Sequence, residues 1–223
     1  MNDDQLYAVI TGDIVGFSRL SAESRDFSLS SVESAFESIQ RIHKEIEVRH
    51  VIYRGDSFQA VISNPNIALT VAVMIRSTLK AFNNHLDARI AIGLGTIAYR
   101  HRKTISEWDG EAFRRSGPVL DAMKGNRRLQ ITSPWEDVDA ELRVELALLD
   151  LIIRKWSRPQ AEAICLQLQG HTQEHMAKEL GISQPAIQQR LRSAGASPLT
   201  DMIQRYRILI EKKISLKDYK IPI

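Results

Sequence analysis

Two carboxylates and a short glycine-containing run are the first positions at which this 223-residue chain could do chemistry. Asp13 closes the segment Leu6–Ile10, Thr11, Gly12, and Asp56 sits in the turn Arg54-Gly55-Asp56-Ser57. Two carboxylates delivered to one edge of a sheet suit Mg²⁺, a hard cation that is usually held jointly with the phosphates of a substrate. Between them in sequence, Gly16-Phe17-Ser18 can present consecutive backbone N–H groups to a phosphate. The competing reading is that both aspartates are ordinary turn residues, since an Asp side chain readily bonds its own local backbone.

A second chemistry lies in Gln173 to Leu191, QEHMAKELGISQPAIQQRL. Thr172 can cap a helix beginning at Gln173, Gly181 permits a left-handed turn, Ser183 can cap the next helix, and Pro185 falls in its first turn. Ala177 is small where two helices cross, and Ile182, Ile187 and Leu191 supply an apolar underside. This is the spacing of a helix-turn-helix. Its second helix offers Gln184, Gln188, Gln189, Arg190 and Arg192. Glutamine can bond adenine N6/N7 bidentately, and arginine can bond guanine or phosphate. The candidate DNA-contacting set is these five with Thr172, Gln173 and Ser183 at the helix starts. A helix-turn-helix used only for protein contacts is the alternative.

The elements that must position these groups follow from hydrophobic spacing. Leu6–Ile10 reads as a buried strand, and Val32, Ala35, Phe36, Ile39, Ile42 and Ile46 as one face of a helix. Val51–Tyr53 and Phe58–Ile62 read as a hairpin, Ile67 to Leu79 as a second amphipathic helix, and Arg89–Ile97 as another strand. The order strand, helix, strand, strand, helix, strand is the split βαβ of an α+β, ferredoxin-like sheet with helices on one face. Gly110–Met123 reads as a helix interrupted at Gly117-Pro118, and Leu129–Thr132 as a last strand. Val138, Leu142, Leu146, Leu149, Ile153 and Trp156 recur at steps of three and four. That stripe is either a connecting helix packed on a neighbouring domain or a dimer seam. The predicted division is an α+β domain over 1–135, a connecting helix over 136–157 and an all-α helix-turn-helix domain over 158–223.

Charge supports that division. The net +3 hides an asymmetry: residues 151–223 hold 12 Lys and Arg against 6 Asp and Glu, a surplus of +6, leaving 18 against 21 before them. A cationic C-terminal part beside an anionic front part points to double-stranded DNA as the partner of the former. The 43% hydrophobic content excludes wholesale disorder, and the single Cys165 excludes a disulfide framework or a zinc site of several thiolates, which fits a reducing cytoplasm. No signal peptide and no apolar run of membrane-spanning length is present.

Gly12-Asp13-Ile14-Val15-Gly16-Phe17-Ser18-Arg19-Leu20-Ser21, Arg54-Gly55-Asp56-Ser57-Phe58-Gln59-Ala60-Val61 and Arg89-Ile90-Ala91-Ile92-Gly93 resemble, in order, the three core motifs of class III nucleotide cyclase catalytic domains. TGDIVG, GDSFQ, the GLGTI strand, Asp109-Gly110-Glu111-Ala112-Phe113 and the terminal helix-turn-helix resemble the SatD family of bacterial proteins across nearly the whole chain. The cyclase resemblance implies Mg²⁺ with a nucleotide as cofactor and ligand, metal held by Asp13, Asp56 and the backbone of Ile14, and a homodimer. Its base-selecting lysine falls near Ile52, and its transition-state asparagine and arginine fall near Arg114 and Pro118, so none of the three is retained. Arg114 or Arg115 stands closest to the missing cation and joins Gly16, Phe17 and Ser18 as the candidate nucleotide-binding set. No catalytic residue is assigned. The expected function is a DNA-binding transcriptional regulator with a degenerate cyclase-like domain. The alternatives are a divergent nucleotidyl cyclase with a DNA-binding appendage, or a cyclase-like domain kept only as a dimerisation scaffold.

Overall fold

The computed structural model describes residues 5–53, 55–101 and 104–216, so Arg54 of the hairpin turn lies outside the described residues. Five strands, β1 (Tyr7–Ile14), β2 (Val48–Tyr53), β3 (Ser57–Ile62), β4 (Ala88–Gly95) and β5 (Leu129–Thr132), form one sheet in the order β2-β3-β1-β4-β5. β1 is antiparallel to both β3 and β4, and β5 joins β4 in parallel at the edge. The first four strands thus have the expected split βαβ order. β1 runs past its apolar segment because β3 and β4 pair it from both sides through Gly12 and Asp13, where polar character alone predicts a loop.

Strand alternation divides the sheet into two faces. Ala8, Ile10, Ile90, Ile92 and Ile131 point to the side of α1 (Ala22–Ile42) and α2 (Ala68–Phe82), where Val32, Phe36, Ile39, Val71 and Ile75 complete the main core. Each such large aliphatic or aromatic side chain removed from water stabilises the fold by about 1.5–3 kcal/mol. Val9 and Ala91 point the other way, against Ala112 and Leu120 of α3 (Glu111–Ala122). Helices therefore cover both faces rather than the one face that the strand order implied. α3 also continues through Pro118 without a break. It lies unusually close to β4, since a Cβ at Gly93 would stand 2.1 Å from the Ala112 carbonyl oxygen and one at Gly95 2.7 Å from the Ala112 nitrogen.

The remaining elements are helical: α4 (Glu136–Arg154), α5 (Arg158–Leu168), α6 (Gln173–Leu180), α7 (Gln184–Ala194) and α8 (Ala196–Ser215). Val138, Leu142, Leu146, Leu149, Ile153 and Trp156 are all buried in the chain's own core, so this stripe packs internally and is not a seam between copies. The opposite side of α4 leaves Val144, Leu148 and Leu151 exposed. Packing does not pause at residue 158. Cys165 of α5 contacts Thr78 and Met74 of α2, and one apolar cluster runs from the sheet through α5 to α8. Buried Tyr206 of α8 donates to the Pro65 carbonyl at 2.8 Å, and Trp156 donates to the Ala194 carbonyl at 2.8 Å. Among the described residues, no helix is long and apolar enough to cross a membrane.

Candidate functional site

The end of β1 is held from two sides. The Ile14 amide donates to the Asp56 carbonyl at 3.0 Å, and the Val15 amide donates to the Asp87 carbonyl at 2.9 Å. The first bond brings the β2–β3 turn against Asp13, whose cross-strand partner on β3 is Ser57. Both aspartates consequently line one open cleft of about 330 Å³, together with Ile14 to Ser18, Arg89, Met123, Gly125 and Arg128. Convergence of Asp13 and Asp56, expected from strand order, is what the register produces.

Gly16 has φ 74°, a left-handed conformation that glycine adopts without steric cost, and it turns the chain into a 3-10 turn at Phe17–Arg19. The Arg19 amide closes that turn on the Gly16 carbonyl at 3.0 Å. Arg25 of α1 donates to the Phe17 carbonyl at 3.2 Å and the Ser18 carbonyl at 2.8 Å, with its guanidinium 5.5 Å from the Phe17 ring centre. The carbonyls of the loop are thus occupied. Its amides at Gly16, Phe17 and Ser18 have no acceptor among the described residues.

Arg89 is the residue that motif reading missed. It faces Asp13 directly across the β1–β4 pair. Its Nε donates to Asp13 Oδ1 at 2.9 Å, Nη2 bonds Asp13 Oδ2, and Nη1 donates to the Met123 carbonyl at 3.2 Å. The hydrogen bond to Asp13 holds the guanidinium above its ordinary pKa, and the charges of Asp13, Asp121 and Asp56 add to this against partial burial. A bidentate guanidinium occupies two of roughly four lone-pair positions on a carboxylate. The remaining donors are hard oxygens: the free lone pairs of Asp13, the carboxylate of Asp56 and the Ile14 carbonyl. That set fits a Mg²⁺-like cation with phosphate. Alternation along β4 is the one signal that could have found Arg89, and it needs the β1 register to become informative.

Arg114 and Arg115 do not line this cleft. Arg114 forms an exposed ion pair with Asp109 at 2.8 Å. Arg115 donates to the Leu94 carbonyl at 3.1 Å and pairs with Glu111 at 2.6 Å. Leu94 stands five residues beyond Arg89, roughly 17 Å along the strand. Within one chain, both arginines therefore sit at the far end of the sheet from Asp13.

In the C-terminal helices the expected caps are present. Thr172 Oγ1 accepts from the His175 amide at 3.2 Å, Ser183 Oγ accepts from the Ala186 amide at 3.4 Å, and Gly181 has φ 64°. Gln184, Gln188, Gln189 and Arg192 are exposed, and Gln173 is half-buried. Arg190 instead turns to α5, 3.4 Å from Glu162, because it flanks the buried Ile187 and Leu191. On α8, Arg205 and Lys213 pair with Glu141 and Asp137 of α4 at 2.8 and 2.9 Å.

No curated protein matches the chain. Among solved structures, it is similar to the catalytic core of a rhodopsin-guanylyl cyclase with converted specificity in complex with ATPαS, at 16% identity and a TM-score of 0.36, over 57% of this chain and 77% of that one. It is also similar to a bacterial light-regulated adenylyl cyclase, at 15% identity and a TM-score of 0.33, over 57% of this chain and 75% of that one. The family model described as SatD family matches residues 7–200, which is most of the sequence and includes both aspartates and the whole of α6 and α7, and the chain belongs to that family.

Proposed function

We propose that the chain is a homodimeric, DNA-binding regulator whose sheet domain binds a nucleotide or related phosphorylated ligand with Mg²⁺. The observation that carries the ligand half is the cleft in which Asp13, Asp56 and the acceptor-free amides of residues 16–18 meet. In this reading Asp13, Asp56 and the Ile14 carbonyl hold the ion, and the amides of Gly16, Phe17 and Ser18 receive phosphate oxygens. Bound, the ion would neutralise phosphate charge. Arg89 holds Asp13 oriented through its bidentate hydrogen bonds. The positions at which the cyclase resemblance places a base-selecting lysine and a transition-state asparagine and arginine hold Ile52, Arg114 and Pro118, which supports a binding site over a cyclase.

The test is thermal unfolding with Mg²⁺ and ATP or GTP. Ligand at about 100 times its Kd stabilises by about 2.7 kcal/mol, a rise in Tm of roughly 5–10 °C for a chain of this size. Asp56→Ala is expected to abolish that rise. One observation favours the scaffold alternative, namely that Asp13 already has an internal counterion in Arg89. Absence of any shift with either nucleotide would leave that alternative standing.

The DNA half rests on the exposed side of α7, where Gln184, Gln188 and Arg192 recur every four residues, capped by Ser183 and carried in the cationic part of the chain. Dimerisation is supported by the exposed apolar ridge of α4, formed by Val144, Leu148 and Leu151. Arg192→Ala is expected to weaken specific DNA binding by about 1–3 kcal/mol in a salt-titrated shift assay. Arg190→Ala, by contrast, removes the contact to Glu162 and is read in stability. Unchanged affinity in Arg192→Ala would remove α7 as the reading helix.

A further inference from the structure

We propose that His171, His175 and Glu179 form a site for a first-row divalent transition ion, with Zn²⁺ as the probe, on the outer side of α6. One ligating atom from each of the three lies within 4.8 Å of the others. His175 and Glu179, four residues apart on α6, share one side of the helix, and His171 lies in the turn just before its cap. His175 Nε2 and Glu179 Oε2 stand 3.5 Å apart. Two ligands about 2.0–2.1 Å from a tetrahedral ion are separated by roughly 3.4 Å, so this pair already has the edge length that such coordination needs.

His171 is held in place independently of the other two. It precedes the Thr172 cap, and its amide donates to the Leu166 carbonyl at 3.2 Å in the turn from α5. Its ring stacks on that of His175 with centroids 4.5 Å apart and planes 18° from parallel. The His175–Glu179 pair and the His171–His175 stack bring the three groups together, and a shared ion would require one imidazole to turn out of the near-parallel stack so that both nitrogens face it.

The donor set also selects the ion. Two imidazole nitrogens with one carboxylate oxygen favour Zn²⁺, Ni²⁺ or Cu²⁺ over Mg²⁺, in contrast to the all-oxygen set at Asp13 and Asp56. Three protein donors leave a coordination position open to water. Bound there, the ion would join the turn before α6 to the last turn of that helix, whose inner side buries Met176 and Ala177 against the rest of the fold.

The experiment uses the full, tag-free chain stripped with chelator, titrated with Zn²⁺ against a chromophoric competitor and with Co²⁺ for its visible absorption bands. Binding of about one ion with a Kd on the order of micromolar is expected, and His171→Ala or His175→Ala should each weaken it roughly tenfold or more while far-ultraviolet circular dichroism is unchanged. Glu179→Gln should weaken it as well, and Asp13→Ala with Asp56→Ala should leave it intact. Binding retained in the His171→Ala, His175→Ala double variant, or no binding by the parent chain, would overturn the site. Full affinity in Glu179→Gln would overturn the three-ligand set. Because the two aspartates are replaced separately, failure here and failure of the Mg²⁺–nucleotide reading are distinguishable.

Discussion

Arg76→Met is expected to cost about 3–5 kcal/mol, roughly a 10 °C loss in Tm, because it strands two buried carboxylates. The Arg76 side chain is fully buried; Nε donates to Asp87 Oδ1 at 2.8 Å, Nη2 to Asp87 Oδ2 at 3.0 Å, and Nη1 bonds Asp150. Asp150 in turn accepts the Arg128 amide at 2.8 Å and the Leu129 amide at 3.2 Å. The cluster thereby ties α2, the start of β4, the start of β5 and α4 together. Without the guanidinium, Lys80 at 3.9 Å is the nearest cation to Asp87. Burial works against the Arg76 charge, yet Asp87 and then Asp150 outweigh it and hold the group above its ordinary pKa.

The sign of the pH dependence follows. A cation held above its unfolded pKa contributes stability that is fully present below that value and lost only as pH rises through the folded one, so the parent's gain from Arg76 is constant across neutral pH. Arg76→Met removes that gain and leaves two buried carboxylates without their counterion, a loss that chemical denaturation at neutral pH reads. A penalty below about 1 kcal/mol at neutral pH, on the scale of a surface ion pair, would mean that the cluster does not hold the elements together. The effect should also reach the candidate site, since the Asp87 carbonyl receives the Val15 amide and Arg128 lines the cleft.

Much of this arrangement was legible in the sequence, and the parts that were not share a cause. Apolar spacing located α1, α2, the hairpin and the caps of α6 and α7, because those features depend on neighbours within a few residues. It could not show that β1 continues through Gly12 and Asp13, since that requires pairing with strands more than 40 residues away. The stripe from Val138 to Trp156 was equally compatible with a partner chain and with the chain's own core, and only packing against the sheet and α8 decided between them. Arg190 could have been set apart from the other α7 residues, because it lies three positions from Ile187 and beside Leu191, on the flank of the buried side. Arg114 and Arg115 were assigned by position in a motif, and distance along β4 separates them from the aspartates. The Arg89 clamp on Asp13 and the Arg76 cluster depend wholly on tertiary register, so no local pattern announces them.

Gly93→Ala is expected to cost about 2–3 kcal/mol, the upper end of the range for overpacking, although it adds a single methyl group. The new Cβ would stand 2.1 Å from the Ala112 carbonyl oxygen and 2.7 Å from the Ser116 nitrogen. Both atoms belong to the backbone of α3, so no side-chain rotation can relieve the contact and the helix itself must lift. Lifting it strains the bond between the Thr11 and Ser116 hydroxyls at 2.9 Å and the one from Arg115 to the Leu94 carbonyl at 3.1 Å. Gly125→Ala separates close approach from backbone conformation. Gly125 has φ 65° with open space around its Cβ position, and its substitution carries only the left-handed backbone cost of roughly 1–2 kcal/mol. Equilibrium denaturation of the two variants should therefore rank Gly93→Ala as the more damaging. The reverse order would show that α3 can rise from the sheet cheaply. A helix that rises would also carry the Met123 carbonyl, which Arg89 holds, away from the Asp13 cleft.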